Sequence, residues 1–391
     1  MVKVVETQPK LQINIYDPYD LTWKAMLDSA ISLTHRSSWN EIVNSEMRIS
    51  KTAVNIEQVQ VGRIVVINNQ REKALIIEEM TATLMDEFWT ITMIPLKGML
   101  NYRICHPSDT TPFVGRSQAA VMMILPFNNL VTQTRDPDRK FWDSTGTINR
   151  FGVVALVDKG DTINFTVDWK TGYMGDTIVG LSKMHGDNKY PIGWNIYISS
   201  AWDAYHMETY QATDRSASQS VNNRVIFSEE YGNLTDATYT YSIKDWRNVV
   251  YVNWNNGTSD QNTPYGNRTH GSTVSFRRKE FIFDSSKKIS TEVSHEGYSE
   301  LNKRPHIETF TAEILHNPHT MSTYGEHWNL GDIVTVQSRN LKEGVLISID
   351  AQITQIEEIY DNGLYSINAT FGEARLTLID LIKNSINSRR V

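Results

Sequence analysis

The chain has 391 residues, 40% hydrophobic, 10% aromatic and 21% charged, a balance that excludes a disordered polymer and leaves room for two or three domains with their own cores. Its 38 Lys and Arg stand against 45 Asp and Glu, a net charge of -7. It therefore lacks the basic excess with which dedicated nucleic-acid binders neutralise phosphates.

Cys105 is the sole cysteine, which excludes intramolecular disulfides and multi-cysteine metal centres. Its setting after an apolar stretch suits a packed side chain better than a catalytic thiol. The opening segment MVKVVETQPKLQINIYD has no continuous apolar signal-peptide core, and no window reaches the roughly 18 apolar residues of a membrane span. The expectation is a chain made in a cytoplasm, soluble there and without stable membrane insertion.

From Gln58 the pattern is a meander: QVQVGRIVVI, a turn at Asn68-Asn69-Gln70-Arg71, ALIIEEMTATL, a turn at Asp86-Glu87, then FWTITMI. Alternating Val, Ile, Thr and aromatic positions between turn residues predict antiparallel strands. After Pro95, LKGMLNYRI reads as a short helix. Ser117 to Val131 holds the apolar run AAVMMIL and reads as a helix that Pro126 kinks or ends. Asp136 to Asn149 is polar and turn-rich, and strands resume with FGVVALV, TINFTVDW and YPIGWNIYIS. Tyr251 to Ser275, crowded with Asn, Gly, Thr and Ser, reads as a long exposed loop.

Towards the C-terminus the meander recurs. Gly331-Asp332 leads into IVTV, then ISIDAQITQIEEIY, a turn at Asp361-Asn362-Gly363, and LYSINATF. By residue type, Gly62-Arg63-Ile64-Val65 matches Gly331-Asp332-Ile333-Val334, Ile77-Glu78-Glu79-Met80 matches Ile356-Glu357-Glu358-Ile359, and Trp89-Thr90-Ile91-Thr92 matches Tyr365-Ser366-Ile367-Asn368. Glu78 follows Gly62 by 16 positions and Glu357 follows Gly331 by 26, so the second copy is read as having a longer loop. A last helix from about Ala374 carries Leu376, Ile379, Ile382 and Ile386 on one face, with Arg389 and Arg390 at its negative end.

The expected fold is mostly β (α+β): a first β-module over 1–110, a mixed α/β middle over 111–225, and a second β-module over 226–391 with the long loop and the C-terminal helix. Candidate chemistry is sparse. His306, His316, His319 and His327 lie in a turn-rich stretch and read as loop residues, not metal ligands. There is no HExxH, P-loop or GxSxG pattern. Adjacent strand carboxylates such as Glu78-Glu79 and Glu357-Glu358 point to opposite faces and cannot converge on one glycosidic bond. In each pair one carboxylate is expected to be solvated and the other packed or interface-facing. Trp194, Tyr197, Trp202, Tyr205 and Tyr210 leave two readings open, sugar-stacking surface or core and subunit contact. No catalytic, cofactor or metal residue is assigned.

Several blocks in order carry a family resemblance: IPLKGMLNYRI, the Asp214-Arg215 step, VIFSEEYGNLTDATYTYSIKDWRNVVYV, RRKEFIFDSSK, and NLGDIVTV with YSINATFGEARLTLIDLIK. Together they resemble the tail-hub, or tail-associated and baseplate-hub-like, proteins of siphophages and prophages of Gram-positive bacteria. The resemblance implies a non-enzymatic homotrimer at the tail tip, and the internal duplication adds the expectation of two tube-like modules per chain. It also implies contact with the distal tail protein and tail tube, and with tape-measure and receptor-binding proteins, around a channel through which DNA passes without specific binding. Two modules in each of three chains match a sixfold tube to a threefold ring, and three charges of -7 suit a lumen that does not hold DNA. The chain ends just after the final hub helix, so no appended enzymatic domain is expected. A cell-wall hydrolase using Asp and Glu and a lectin-like receptor-binding module are the alternatives.

Overall fold

The structure is a computed structural model that describes residues 11–372, apart from 28–29, 107–111, 133–134, 155–158, 166, 168–171, 184–190, 267–274, 303, 305, 316–321, 342–344 and 362; the side chains of 275, 295, 299 and 302 are also excluded. The expected C-terminal helix, with His316 and His319, lies outside the described residues. The fold is mostly β, with a large antiparallel sheet. Two compact units form, one drawn from Met1–Asp236 and Ala312–Ala369, the other from Ala237–Thr311 and Thr370–Val391.

In the first unit the strand order is Ile347–Asp361, Ala30–Ser38, Ser45–Ser50, Phe88–Pro95, Leu75–Thr81, Ile64–Ile67, Ile13–Tyr16, Trp23–Leu27, each neighbour antiparallel. The expected meander is present. Four strands between residues 13 and 50 join it, ahead of Gln58, where the expected meander starts. The 15-residue strand Ile347–Asp361 pairs through its first half with Ile333–Ser338 and through its second with Ala30–Ser38. A short strand, Ile226–Ser228, then lies parallel to Ile333–Ser338.

All four residues of Ile64–Ile67 are buried because both sheet faces are covered. Ile64 and Val66 point into a cluster with Ile76, Leu100, Met122 and Trp194, whereas Val65 and Ile67 point into one with Ile13, Leu33, Met47 and Met93. The period of two separates the sets. The first cluster spans residues from both 1–110 and 111–225, so these stretches share a core.

A 3-10 helix, Leu96–Tyr102, follows Pro95 as expected. The next helix, Gln118–Leu130, is started by Ser117, whose Oγ accepts from Ala120 N at 3.3 Å. It runs on through Pro126, which the sequence reading made a kink or an end. An interior proline costs about 3 kcal/mol, but burial of Ala119, Val121, Met122, Met123, Leu125 and Leu130 offsets that. Cys105 is buried against Thr177.

The second unit corrects the first part of the expected long loop over Tyr251 to Ser275, of which 267–274 lie outside the described residues. Val249–Asn255 and Asp260–Gly266 form an antiparallel hairpin, and Glu280–Asp284 lies parallel to Val249–Asn255 on its other side. Val250 and Val252 pack with Val293 and Leu301 of helix Ser290–Asn302. The solvent-side alternates, Tyr251, Asn253 and Asn255, supply the polar composition that suggested a loop. Only residues 256–259 form the turn, where Asn256 Oδ1 accepts from Thr258 and Ser259 N–H.

Candidate functional site

The two glycine turns singled out in the sequence have one geometry. Gly62 has φ 88° and Gly331 φ 91°, values that an L side chain resists. Gly62 N donates to Ile77 O (2.8 Å) and Ile77 N to Arg63 O (3.0 Å); Gly331 N donates to Ile353 O (2.8 Å) and Ile353 N to Asp332 O (2.8 Å). A buried strand follows each turn, Ile64–Ile67 and Ile333–Ser338.

These bonds correct the register read from residue types. Ile353, not Ile356, stands where Ile77 stands, so Glu78-Glu79 does not align with Glu357-Glu358. A bulge follows in the first copy: Ile77 pairs with Met93 and Glu79 with Thr92, leaving Glu78 as the extra residue. Glu78 and Glu79 are both exposed in the single chain, so neither is packed in its core. Glu78 accepts from the Tyr102 hydroxyl.

The turns differ in what covers them. A methyl group at Gly62 would meet nothing within 4 Å, whereas one at Gly331 would lie 2.1 Å from the Trp39 ring. Trp39 is wedged at a junction: its N–H donates to Thr354 O, its indole Nε1 to Pro191 O (2.9 Å), and its carbonyl accepts from Trp194 N. Gly193 lies against the same ring, 2.4 Å from where its methyl would be. Gly62→Ala is expected to destabilise by about 1 kcal/mol, from backbone strain alone. Gly331→Ala adds overpacking and should lose about 3 kcal/mol. Thermal melts of the two variants test the order.

Asp332 joins the Gly331 turn to the Asp214-Arg215 step. Arg215 Nε donates to Asp332 Oδ2 at 2.9 Å, Arg215 N donates to Ile333 O, and Asn329 N donates to Asp332 Oδ2 at 2.9 Å. Burial pushes the Asp332 carboxyl up, against the lowering by the Asn329 N–H and Arg215. Two separate blocks of the family resemblance thus meet in one ion pair.

Glu357 and Glu358 do face opposite ways. Half-buried Glu357 accepts from Arg36 Nε (2.7 Å) and Asn368 Nδ2 (3.3 Å). Buried Glu358 takes Lys73 Nζ (2.6 Å) and the Tyr365 hydroxyl (2.9 Å), with His35 Nδ1 at 3.3 Å. Lys73 also lies over the Tyr324 ring, 4.7 Å from its centroid. Burial raises the Glu358 carboxyl, but the His35 bond and the Lys73 ammonium outweigh it and hold the group at about 2. The repeat pattern holds Glu358 and Tyr365 but gives no sign of His35, Lys73 and Tyr324, which lie far from them in sequence and carry no shared spacing.

The aromatic group divides. Trp194 is 1% and Tyr205 3% exposed; Trp194 Nε1 donates to Asn40 O and the Tyr205 hydroxyl to Pro18 O. Trp202 stacks on Tyr16 at 4.6 Å. Tyr197 and Tyr210 lie on the opposite face of the Gly193–Ile198 and Tyr205–Tyr210 hairpin and line a cleft of about 350 Å³. Among the described residues no three His, Cys, Asp or Glu side chains gather as a metal site. His327 Nδ1 accepts from Thr323 N, and His306 lies 6.0 Å from the Tyr241 ring.

Solved structures with this fold include the 43 kDa tail protein of prophage MuSo2 from Shewanella oneidensis (TM-score 0.55, 12% identity, covering 92% of this chain and 98% of that one). Prophage tail protein gp18 from Listeria monocytogenes EGD-e is also similar (TM-score 0.51, 11% identity, covering 97% and 100%), as is a tail protein from Neisseria meningitidis MC58 (TM-score 0.51, 9% identity, covering 93% and 97%). No curated protein sequence matches the chain. Residues 12–373 match the family model described as Siphovirus ReqiPepy6 Gp37-like protein, and the chain therefore belongs to that siphovirus family, in a fold shared with prophage tail proteins.

Proposed function

We propose that the chain is a structural hub at the tip of a siphovirus or prophage tail, that three copies close into a ring, and that the ring joins the distal tail protein and tail tube to the tip and continues the ejection channel. The family match over residues 12–373 carries the reading. The paired glycine turns support its symmetry, because two related strand pairs in each of three chains offer six comparable contacts to a sixfold tube. On this reading residues 1–110 and 226–391 supply the tube-like modules, 111–225 the intervening part, and catalysis has no role. Tape-measure and receptor-binding proteins are further neighbours, and the particle is assembled in the bacterial cytoplasm. Mass photometry and cryo-EM should give a threefold ring. A monomer that stays monomeric with the distal tail protein overturns it, as does a lumen lined continuously by Lys and Arg. Zymography on host cell wall should give no lytic band.

An exposed turn offers a contact for such assembly. Leu84 and Met85 are 98% and 91% exposed, in a turn held by Asp86 Oδ2, which accepts from Thr83 N and Oγ1, and by Lys51 Nζ donating to Thr83 O. Side chains this exposed contribute little to the single chain, so L84E with M85E should change its stability by less than about 0.5 kcal/mol. Assembly should nevertheless fall at least tenfold, a difference of about 1.4 kcal/mol. Unchanged assembly by mass photometry removes this turn from the interface.

A further inference from the structure

We propose that the cleft on the outer face of the Gly193–Ile198 and Tyr205–Tyr210 hairpin binds a neutral saccharide ring. The register sets Tyr197 opposite His206, Asn195 opposite Glu208 and Gly193 opposite Tyr210. Period two sends these side chains away from the core side chains of Trp194, Ile196, Tyr205 and Met207. The 3-10 turn Arg71–Lys73 closes one side, because Arg71 Nη1 donates to Ile198 O (3.0 Å) and Asn195 Nδ2 to Glu72 O (2.9 Å). At the other end His206 sits beside Gly152, where a methyl would come within 3.3 Å of its ring. The space of about 350 Å³ is at the small end of ligand pockets.

The lining chemistry selects the ligand class. The Tyr197 and Tyr210 hydroxyls both converge on Glu208 Oε2, at 3.2 and 3.3 Å, which fixes two aromatic rings at the cleft. Burial, then Glu208, raises both phenols, so they remain protonated donors. Glu72 and Glu208 oppose an anion, and Arg71 opposes a simple cation. An apolar ligand would strand all three charged groups. A sugar ring instead offers an apolar face for an aromatic ring and hydroxyls that both donate to carboxylates and accept from the guanidinium. Of the aromatics first considered for sugar stacking, Tyr197 and Tyr210 serve, whereas Trp194 and Tyr205 are core.

The cleft lies within a single chain, so this inference stands or falls separately from the trimeric hub. Saturation-transfer NMR of the full chain with N-acetylglucosamine, glucose and galactose tests it directly. At least one sugar should bind saturably in the millimolar range, and Tyr197→Ala should weaken it about tenfold, near the upper range for a stacked aromatic contact. Glu208→Gln keeps the side chain's shape and should also weaken binding; it decides the matter if the alanine variant does not fold. No saturable binding of any of the three sugars, or unchanged binding in the folded variants, overturns the proposal.

Discussion

Glu358→Ala lowers the stability of the folded chain by about 3 kcal/mol, because it leaves buried His35 and half-buried Lys73 around a missing anion. The Glu358 side chain is 5% exposed, its His35 and Lys73 partners 3% and 16%. Lys73 donates to it at 2.6 Å, and the Tyr365 hydroxyl makes a further bond at 2.9 Å. Removing the carboxylate forfeits these bonds and leaves the ammonium with the Tyr324 ring as a described neighbour. Chemical denaturation at neutral pH measures the loss. A change below about 1 kcal/mol would mean that the cluster behaves like a surface ion pair.

The same carboxylate sets an acid limit. Its folded value of about 2 lies below the ordinary 4.5, so the unfolded chain binds the proton more readily between them. The stabilisation is fully present above about pH 4.5 and is lost as pH falls through about 2, on the order of 3 kcal/mol in all. Glu358→Gln should remove that part of the acid transition. An acid limb of equal steepness in the wild type and variant would assign the transition to other carboxylates.

The repeated meander was legible because buried β-strands write their period into Val, Ile and Thr, and because both turns need glycine at positive φ. Its register was not. The Ile-Glu-Glu triplet occurs at residues 77–79 and at 356–358, and identity drew them together, whereas the hydrogen bonds align Ile77 with Ile353. A bulge adds a residue without any signature in composition. The strand Val249–Asn255 resembles a loop in composition for a related reason: with one wet face it shows a loop's polar content, and Val250, Val252 and Trp254 mark the buried side. Pro126 shows the converse, a local rule overridden by packing. The Glu358 cluster was least accessible, since its partners come from residues 35, 73, 324 and 365 and only folding brings them together.

Lys97 gives the wild-type chain a stability that rises with pH between about 7 and 10. Its side chain is buried in the Leu96–Tyr102 helix, where Nζ donates to Ser38 O at 2.6 Å and to Trp194 O at 3.4 Å and lies over the Trp194 ring. Burial drives the ammonium down to about 7, with Glu41 offsetting a small part. The unfolded chain, whose lysine keeps its ordinary value of 10.5, therefore binds more protons across the interval. Raising the pH relieves the penalty at up to about 1.36 kcal/mol per unit, on the order of 4 kcal/mol over the window. Above about pH 10 the trend reverses: folded phenols such as Tyr210 and Tyr365 are pushed up by burial, so the unfolded chain ionises first. In Lys97→Met the rise should flatten. Its stability at pH 7 is the balance of a removed charge penalty against two carbonyls that lose a donor, at about 1–3 kcal/mol each, so the slope is the cleaner readout. Denaturation curves at several pH values from about 7.5 to 9.5 supply it, and parallel wild-type and variant slopes would show that Lys97 stays charged in the fold. The lysine then fixes the helix to Ser38, next to the tryptophan that packs on Gly331, so a proton at one buried nitrogen bears on the junction of the repeated strands.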